Sequence, residues 1–165
     1  LEEDTHTNKE LEKKQAILQE KIEELKQQNK KPEFVIWSEG SLQYYFPKYY
    51  KYYKDWPDEK PLISFIEEID TPLLAGGSYK KDGENPKYFN SALMFDNKGN
   101  FRGMYGKLHL VPFAESIPGM NNPVIKKFVT DIVGISAGWA QGEQLTYFDI
   151  PCANAGFIVY FATLS

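Results

Sequence analysis

The sequence contains a single cysteine, Cys152, which excludes an internal disulfide framework and any metal site built from several cysteines. It contains two histidines, and His109 lies between two leucines without further metal-ligating residues at suitable spacing. No apolar run is long enough to cross a bilayer, and the polar, acidic first ten residues do not resemble a secretory signal. Positive charge is also in deficit. The net charge of -4 therefore gives no electrostatic case for binding nucleic acid.

The size and composition of the chain are those of one globular domain. It has 165 residues, of which 42% are hydrophobic and 25% charged, which is enough for a real core. Because no internal repeat, linker or low-complexity segment interrupts it, we expect one domain over residues 1–165, with a leading helix in 1–30 and a core in 33–161.

Hydrophobic periodicity predicts alternating helices and strands, and therefore an α/β (α+β) fold. Leucines and isoleucines at helical spacing predict an amphipathic helix over about residues 8–28, and a proline in the first turn favours a short helix over 61–68. A further helix is predicted over 123–133. The predicted strands are 34–37, 73–79, 89–95, 101–105, 145–150 and 156–161, with a hairpin turn at 97–99.

Three charged residues on separate segments are candidates for a catalytic site. Glu39 directly follows the apolar strand that ends at Trp37, where a carboxylate could act as a general base. Lys107 follows a strand and Glu115 lies eight positions later, with a mostly apolar run between them. An ammonium held there could stabilise an oxyanion. Glu39 or Lys107 taken alone is better explained as a solvated surface charge, and Glu115 alone as a loop acid.

An aromatic and basic stretch from Ser41 to Trp56 has two readings. It contains Pro47 and is predicted to be a loop or a broken helix. Its aromatic side chains beside lysines suit a membrane interface and acidic lipid headgroups, but they equally suit packing beneath a long loop. If the first reading holds, the lipid-facing residues are Tyr44, Tyr45, Phe46 and Tyr49.

The segments 36–39, 90–93 and 105–118 together resemble the carbon-nitrogen hydrolase (nitrilase) superfamily, and within it the apolipoprotein N-acyltransferase family. The run Lys-Leu-His-Leu-Val-Pro-Phe-Ala-Glu from Lys107 to Glu115 is the most specific part of this resemblance. The resemblance implies an incomplete nitrilase-like α-β-β-α sandwich, preceded here by the amphipathic helix. It implies no cofactor and no metal.

The resemblance also implies roles for the candidate residues. Glu39 would be the general base, Lys107 the stabiliser of the tetrahedral intermediate and Glu115 the supporting acid. The family's nucleophile is a cysteine on a late strand, which should fall near Val159 or Tyr160, where this sequence has no thiol. Cys152 precedes that strand and is better explained as a small buried side chain.

Three functions follow as hypotheses. The first is a fragment or degenerate copy of an apolipoprotein N-acyltransferase, inactive as it stands. Complete members of that family work at the periplasmic face of the bacterial inner membrane. They move an acyl chain from a phospholipid through a cysteine thioester to the N-terminal cysteine amine of a lipoprotein. The second is a non-catalytic domain that binds lipid or a partner, and the third is a soluble amidase of the same superfamily.

Overall fold

The computed structural model describes residues 2–55, 61–112, 115–117, 119, 122–125, 127, 131, 138–149 and 157–159. Its elements, in chain order, are α1 (Glu2–Gln27), β1 (Val35–Phe46), α2 (Tyr50–Asp55), α3 (Leu62–Ile69), β2 (Leu73–Lys81), β3 (Lys87–Phe95), β4 (Phe101–Gly106), β5 (Thr146–Phe148) and β6 (Phe157–Val159). The α/β class predicted from the sequence is confirmed. Within the described part of the chain, no helix combines the length and the apolarity that a bilayer span requires.

The main sheet has four strands in the order β1-β2-β3-β4. The first pair is parallel and the other two pairs are antiparallel. β5 and β6 form a separate antiparallel pair. Because a parallel pair needs a crossover connection, α2 and α3 lie between β1 and β2 along the chain.

The helices cover one face of the main sheet. Ile22 of α1 and Phe65 of α3 pack in the same buried cluster as Trp37 of β1 and Phe95 of β3. A smaller buried cluster lies on the other face, where Phe148 of β5 packs against side chains of the inner strands. The described helices therefore all pack on one side of this sheet.

The β3–β4 hairpin carries the turn that the sequence predicts at 97–99. One carboxylate oxygen of Asp96 accepts hydrogen bonds from the backbone N–H groups of Lys98 (2.9 Å) and Asn100 (2.8 Å). This is the local capping by which aspartate stabilises tight turns. The hairpin sets the register of β3 against β4, and beyond its last pair the Lys107 N–H donates to the Asn90 carbonyl at 2.8 Å.

The prediction of a loop or broken helix is wrong over residues 41–46, because β1 continues to Phe46, and it is confirmed over 47–55, which form a turn and the short helix α2. A bulge in β1 explains the error. The register with β2 jumps from Trp37 opposite Ala75 to Leu42 opposite Gly77. The extra residues in β1 interrupt the alternation of buried and exposed side chains. The sequence therefore does not show the regular two-residue period by which a strand is recognised.

The bulge also decides which aromatic side chains are buried, and it overturns one proposed lipid contact. Because the bulge shifts the alternation, Leu42 and Phe46 join the helix-covered cluster that also holds Trp37. Phe46 is only 2% exposed and stacks on Phe101 at 4.4 Å between ring centroids, so it does not face lipid. Trp56 lies outside the described residues. Of the helix predicted over 123–133, residues 123–125, 127 and 131 are described, and they are helical.

Candidate active site

Glu39 is presented by the bulge of β1. Gly40 has a φ of 69°, a left-handed conformation that glycine adopts without steric cost. The Ser41 hydroxyl donates to the Ser38 carbonyl at 2.7 Å, which closes a small loop around Glu39. The bulge therefore turns the Glu39 carboxylate out of the strand, and its side chain is 49% exposed.

On the neighbouring strand, β2, the residue that contacts the β1 bulge is a glycine, Gly76. A Cβ on Gly76 of β2 would come within 2.5 Å of the Glu39 Cα and of the Ser38 carbonyl oxygen. Real Cβ contacts are never that short, so only glycine permits this approach. Gly76 thus lets the backbone at Glu39 lie directly on β2.

Lys107 is a buried cation paired with two carboxylates. Its side chain is 4% exposed, and its Nζ lies 2.8 Å from Glu115 Oε1 and 3.6 Å from Glu39 Oε1. An unpaired buried ammonium is strongly unfavourable, and these two carboxylates offset the cost of burying this one. The three residues singled out from the sequence therefore lie together.

Glu115 is the most completely bonded member of the group. One of its oxygens accepts from Lys107 Nζ and from Asn90 Nδ2, each at 2.8 Å, and the other accepts from the Val111 N–H at 2.8 Å. Burial alone raises the pKa of the Glu115 carboxyl. The hydrogen bonds from Lys107, Val111 and Asn90 outweigh burial, so its pKa lies below the ordinary value.

Asn90 of β3 is a site residue for which the sequence analysis gave no role. Its Nδ2 donates to Glu39 Oε1 as well as to Glu115 Oε1, so one amide bridges both acids. A signal was present in the sequence. Apart from Asn90 and Ser91, the strand 88–95 is aromatic or apolar, and an amide that is partly buried there needs a hydrogen-bond partner.

A later segment, residues 138–142, forms backbone hydrogen bonds with the residues of the site, and we call this segment the strap. The Trp139 N–H donates to the Glu115 carbonyl (3.0 Å), and the Gly142 N–H donates to the Lys107 carbonyl (2.9 Å). Between them, the Ala140 N–H donates to the Tyr88 carbonyl at 2.6 Å. No charge or motif marked the strap in the sequence, because it contributes backbone groups to the site.

The predicted nucleophile position is only partly described. Val159 lies in β6 opposite Thr146 of β5. Tyr160 and Cys152 lie outside the described residues. The structure thus places the two acids and the lysine together. The position at which the family's nucleophilic cysteine would lie stays a prediction.

The remaining aromatic candidates differ in exposure. Tyr45 is 37% exposed and packs edge-on against Tyr88, with 5.0 Å between ring centroids. Tyr49 is half-buried, with Lys48 Nζ 4.8 Å above its ring. Tyr44 is half-buried and packs against Tyr52 and the helix-covered cluster. Tyr44, Tyr45 and Tyr49 therefore keep some accessible surface, and Tyr45 has the most.

The cluster combines two properties that acyl-transfer chemistry uses. A half-exposed carboxylate can accept a proton from an incoming group. A buried ammonium that is already held by hydrogen bonds can stabilise a developing oxyanion without reorganising. Neither group is a nucleophile that forms a covalent acyl intermediate, and this limits what the cluster can do alone.

The chain matches the family model described as "Carbon-nitrogen hydrolase" over residues 5–161. It is 37% identical over 122 residues to apolipoprotein N-acyltransferase 2 of Treponema denticola, an alignment covering 74% of this chain and 23% of that protein. It is 34% identical over 133 residues to apolipoprotein N-acyltransferase 2 of Treponema pallidum, covering 79% of this chain and 24% of that protein. The chain thus spans about a quarter of the length of these curated relatives.

Solved structures resemble the chain as well. A carbon-nitrogen hydrolase from Helicobacter pylori G27 aligns with a TM-score of 0.43 and 21% sequence identity, covering 64% of this chain and 36% of that one.

Proposed function

Because the chain belongs to the carbon-nitrogen hydrolase family, we propose that it provides the acid and lysine part of an apolipoprotein N-acyltransferase site. The observation that carries the proposal is the contact of Lys107 Nζ with Glu115 and Glu39, at 2.8 and 3.6 Å. The names of the relatives supply the reaction, which is transfer of an acyl group to a nitrogen of an apolipoprotein.

The proposed roles follow from the surroundings of each group. Glu39 is the general base, because its carboxylate is half exposed and can meet an incoming thiol or amine. Among the described residues, Asn90 and Lys107 contact Glu39, and both do so at Oε1, so we assign the proton to Oε2. Lys107 stabilises the oxyanion of the tetrahedral intermediate, and Glu115 holds Lys107 in place.

The reaction needs a thiol that the 156–161 segment does not contain. In the proposed two-step transfer, a cysteine attacks the ester carbonyl of a phospholipid and expels the lysophospholipid alkoxide, which takes up a proton. The amine of a lipoprotein's N-terminal cysteine then attacks the thioester and releases the thiol. With no cysteine at Val159 or Tyr160, we propose that this 165-residue chain performs no acyl transfer itself and is a fragment or degenerate copy. The proposed location of a complete enzyme is the periplasmic face of the inner membrane.

A chimera tests this function directly. In the chimera, residues 33–117 of this chain replace the aligned segment of the Treponema denticola relative. The rest of that enzyme is unchanged. We expect the chimera to N-acylate an apolipoprotein, and Glu39→Gln or Lys107→Met to reduce the rate at least about 100-fold. Lys87→Met serves as the control, because the Lys87 side chain is 56% exposed and does not belong to the site.

Two results would count against the proposal. One is an inactive chimera beside an active parent enzyme, and the other is a chimera whose activity survives both substitutions. The proposed inactivity of the chain alone has a separate test. Incubation with phospholipid vesicles should give no acyl adduct by mass spectrometry, and a single adduct that Cys152→Ala abolishes would overturn it.

A second candidate function is binding to a lipid surface without catalysis. The exposed ring of Tyr45 and the Lys48–Tyr49 contact favour it, because aromatic and cationic side chains suit lipid headgroups. Co-sedimentation with anionic phosphatidylglycerol vesicles tests it. Binding should fall in the double variant Tyr45→Ser, Tyr49→Ser, and absence of binding by the unmodified chain would reject this candidate.

A further inference from the structure

Asn90 is the one described side chain that touches both acids of the site without carrying charge. Its Nδ2 donates to Glu39 Oε1 and, at 2.8 Å, to Glu115 Oε1. An amide nitrogen has two hydrogens, so both bonds can form at once. Its backbone is fixed as well, because the Asn90 carbonyl accepts from the Lys107 N–H at 2.8 Å.

The charges of the site explain why such a bridge is needed. Glu39 comes from β1, Lys107 follows β4, and Glu115 comes from the loop beyond it. The two carboxylates share one ammonium, so the group carries one uncompensated negative charge when all three are ionised. Two neighbouring carboxylates tend to retain a proton unless something offsets their repulsion. In the described part of β2 and of the strap, the residues nearest these groups are uncharged.

We infer that Asn90 is a positioning residue that holds the Glu39 and Glu115 carboxylates in place around Lys107. Its amide hydrogens stabilise both anions and fix the distance of each from the lysine. A lysine in its place would pair with the acids and remove their excess negative charge, whereas an aspartate would add a third anion. Only a neutral donor with two hydrogens leaves the group with its net negative charge and both acids bonded.

This role has a mechanistic meaning that rests on the proposed function. A general base must be a carboxylate before it meets its substrate, and Glu39 is held by Asn90 through the oxygen that does not receive the proton. Removing Asn90 would then lower the fraction of enzyme with a correctly placed base. It would not remove a contact with substrate.

The chain offers a matched control for a titration experiment. Asn97 donates its Nδ2 to Asp70 Oδ1 at 2.8 Å, the same kind of bond outside the site. The Lys31 ammonium and then the Asn97 amide hold the pKa of Asp70 below its ordinary value. Each asparagine therefore supports a different carboxylate, and neither variant should affect the other's acid.

The experiment is a carbon-13 carboxyl titration by NMR of the full chain and of Asn90→Ala and Asn97→Ala. We expect Asn90→Ala to raise the pKa of Glu115 and leave Asp70 unchanged, and Asn97→Ala to do the reverse. An unchanged Glu115 titration in folded Asn90→Ala would overturn the inference. If that variant does not fold, the unmodified chain decides: the Asn90 Nδ2 protons should shift with the Glu115 titration, and protons that ignore it reject the bridge.

A rate measurement separates this inference from the proposed function. In the chimera, Asn90→Ala should lower kcat about 100-fold, the loss expected when a reacting group is displaced, with little change in KM. If Asn90→Ala raises the pKa of Glu115 in the full chain but the chimera is inactive, the proposed function is rejected and the positioning role of Asn90 is kept. An active chimera that Asn90→Ala leaves unchanged would reject the positioning role.

Discussion

The backbone of Glu39 rests on Gly76, with no space between them for a methyl group. A Cβ at Gly76 would lie 2.5 Å from the Glu39 Cα. The general base proposed for this chain thus owes its position to a residue on another strand that has no side chain. Both partners are backbone atoms, so neither can rotate away as a flexible side chain could.

Gly76→Ala should therefore displace the β1 bulge and weaken the fold. We expect the free energy of unfolding to fall by about 1–3 kcal/mol, the usual range for overpacking a buried position, in urea unfolding followed by circular dichroism. Gly83→Ala is the control, because nothing lies within 4 Å of a Cβ at Gly83. Its stability should change by less than about 0.5 kcal/mol. Equal midpoints for the two variants would show that the bulge does not press on β2.

Lys107→Met should destabilise the protein more than loss of any exposed lysine. It leaves Glu115, which is 13% exposed, without its cation. Removing one partner of a buried ion pair costs about 3 kcal/mol or more. In the exposed Lys87–Glu143 pair the atoms are 3.5 Å apart, and Lys87→Met should cost less than about 1 kcal/mol. Adding Glu115→Gln to Lys107→Met should restore part of the stability, and no restoration would argue against a direct pairing.

The Glu115 carboxyl should make stability dependent on acid pH. Its pKa in the folded chain lies below the ordinary glutamate value, because hydrogen bonds from Lys107, Val111 and Asn90 outweigh its burial. The unfolded chain then binds protons more readily. This contribution is complete above about pH 4.3, the unperturbed glutamate value, and is lost as pH falls through the folded pKa. Unfolding free energies measured between pH 7 and pH 3 should therefore decline less steeply in Glu115→Gln. The exposed carboxylate variant Glu84→Gln should keep the original slope.

Gly142→Ala should loosen the strap. A Cβ there would lie 2.1 Å from the Gly106 carbonyl oxygen, so the strap must move away from the residue before Lys107. The hydrogen bonds from Trp139, Ala140 and Gly142 should weaken together. Amide hydrogen exchange by NMR should show lost protection at these three N–H groups, while the α3 amides keep theirs. Unchanged protection at Trp139 would mean that the strap is held independently of Gly142.

Much of the fold could be predicted from the sequence because its elements have regular patterns. Helix α3 and strands β2, β3 and β4 begin and end within two residues of the predicted positions. Helix α1 begins earlier than predicted, at Glu2. The first residues of β1 were predicted, but its continuation beyond Trp37 could not be. The bulge at Gly40 breaks the alternation, so the side chains buried under the helices change from odd-numbered to even-numbered positions.

The charged residues of the site could be predicted from the sequence, but the backbone contacts that position them could not. Glu39, Lys107 and Glu115 stood out because charges beside apolar runs need partners, and they do lie together. Gly76 was visible only as an oddity within a strand. The strap could not be found, since its N–H groups are a property of every residue and their partners depend on the tertiary fold.

The strap bears on the order in which the site can be completed during synthesis. A ribosome delivers both charged residues of the Lys107–Glu115 pair well before it delivers the N–H groups that bind their carbonyls. Until the strap emerges, the Lys107 and Glu115 carbonyls lack these partners, although the Lys107 N–H can already bond to the Asn90 carbonyl. Full assembly of the pocket is therefore a late event, governed by the slow closure of distant contacts.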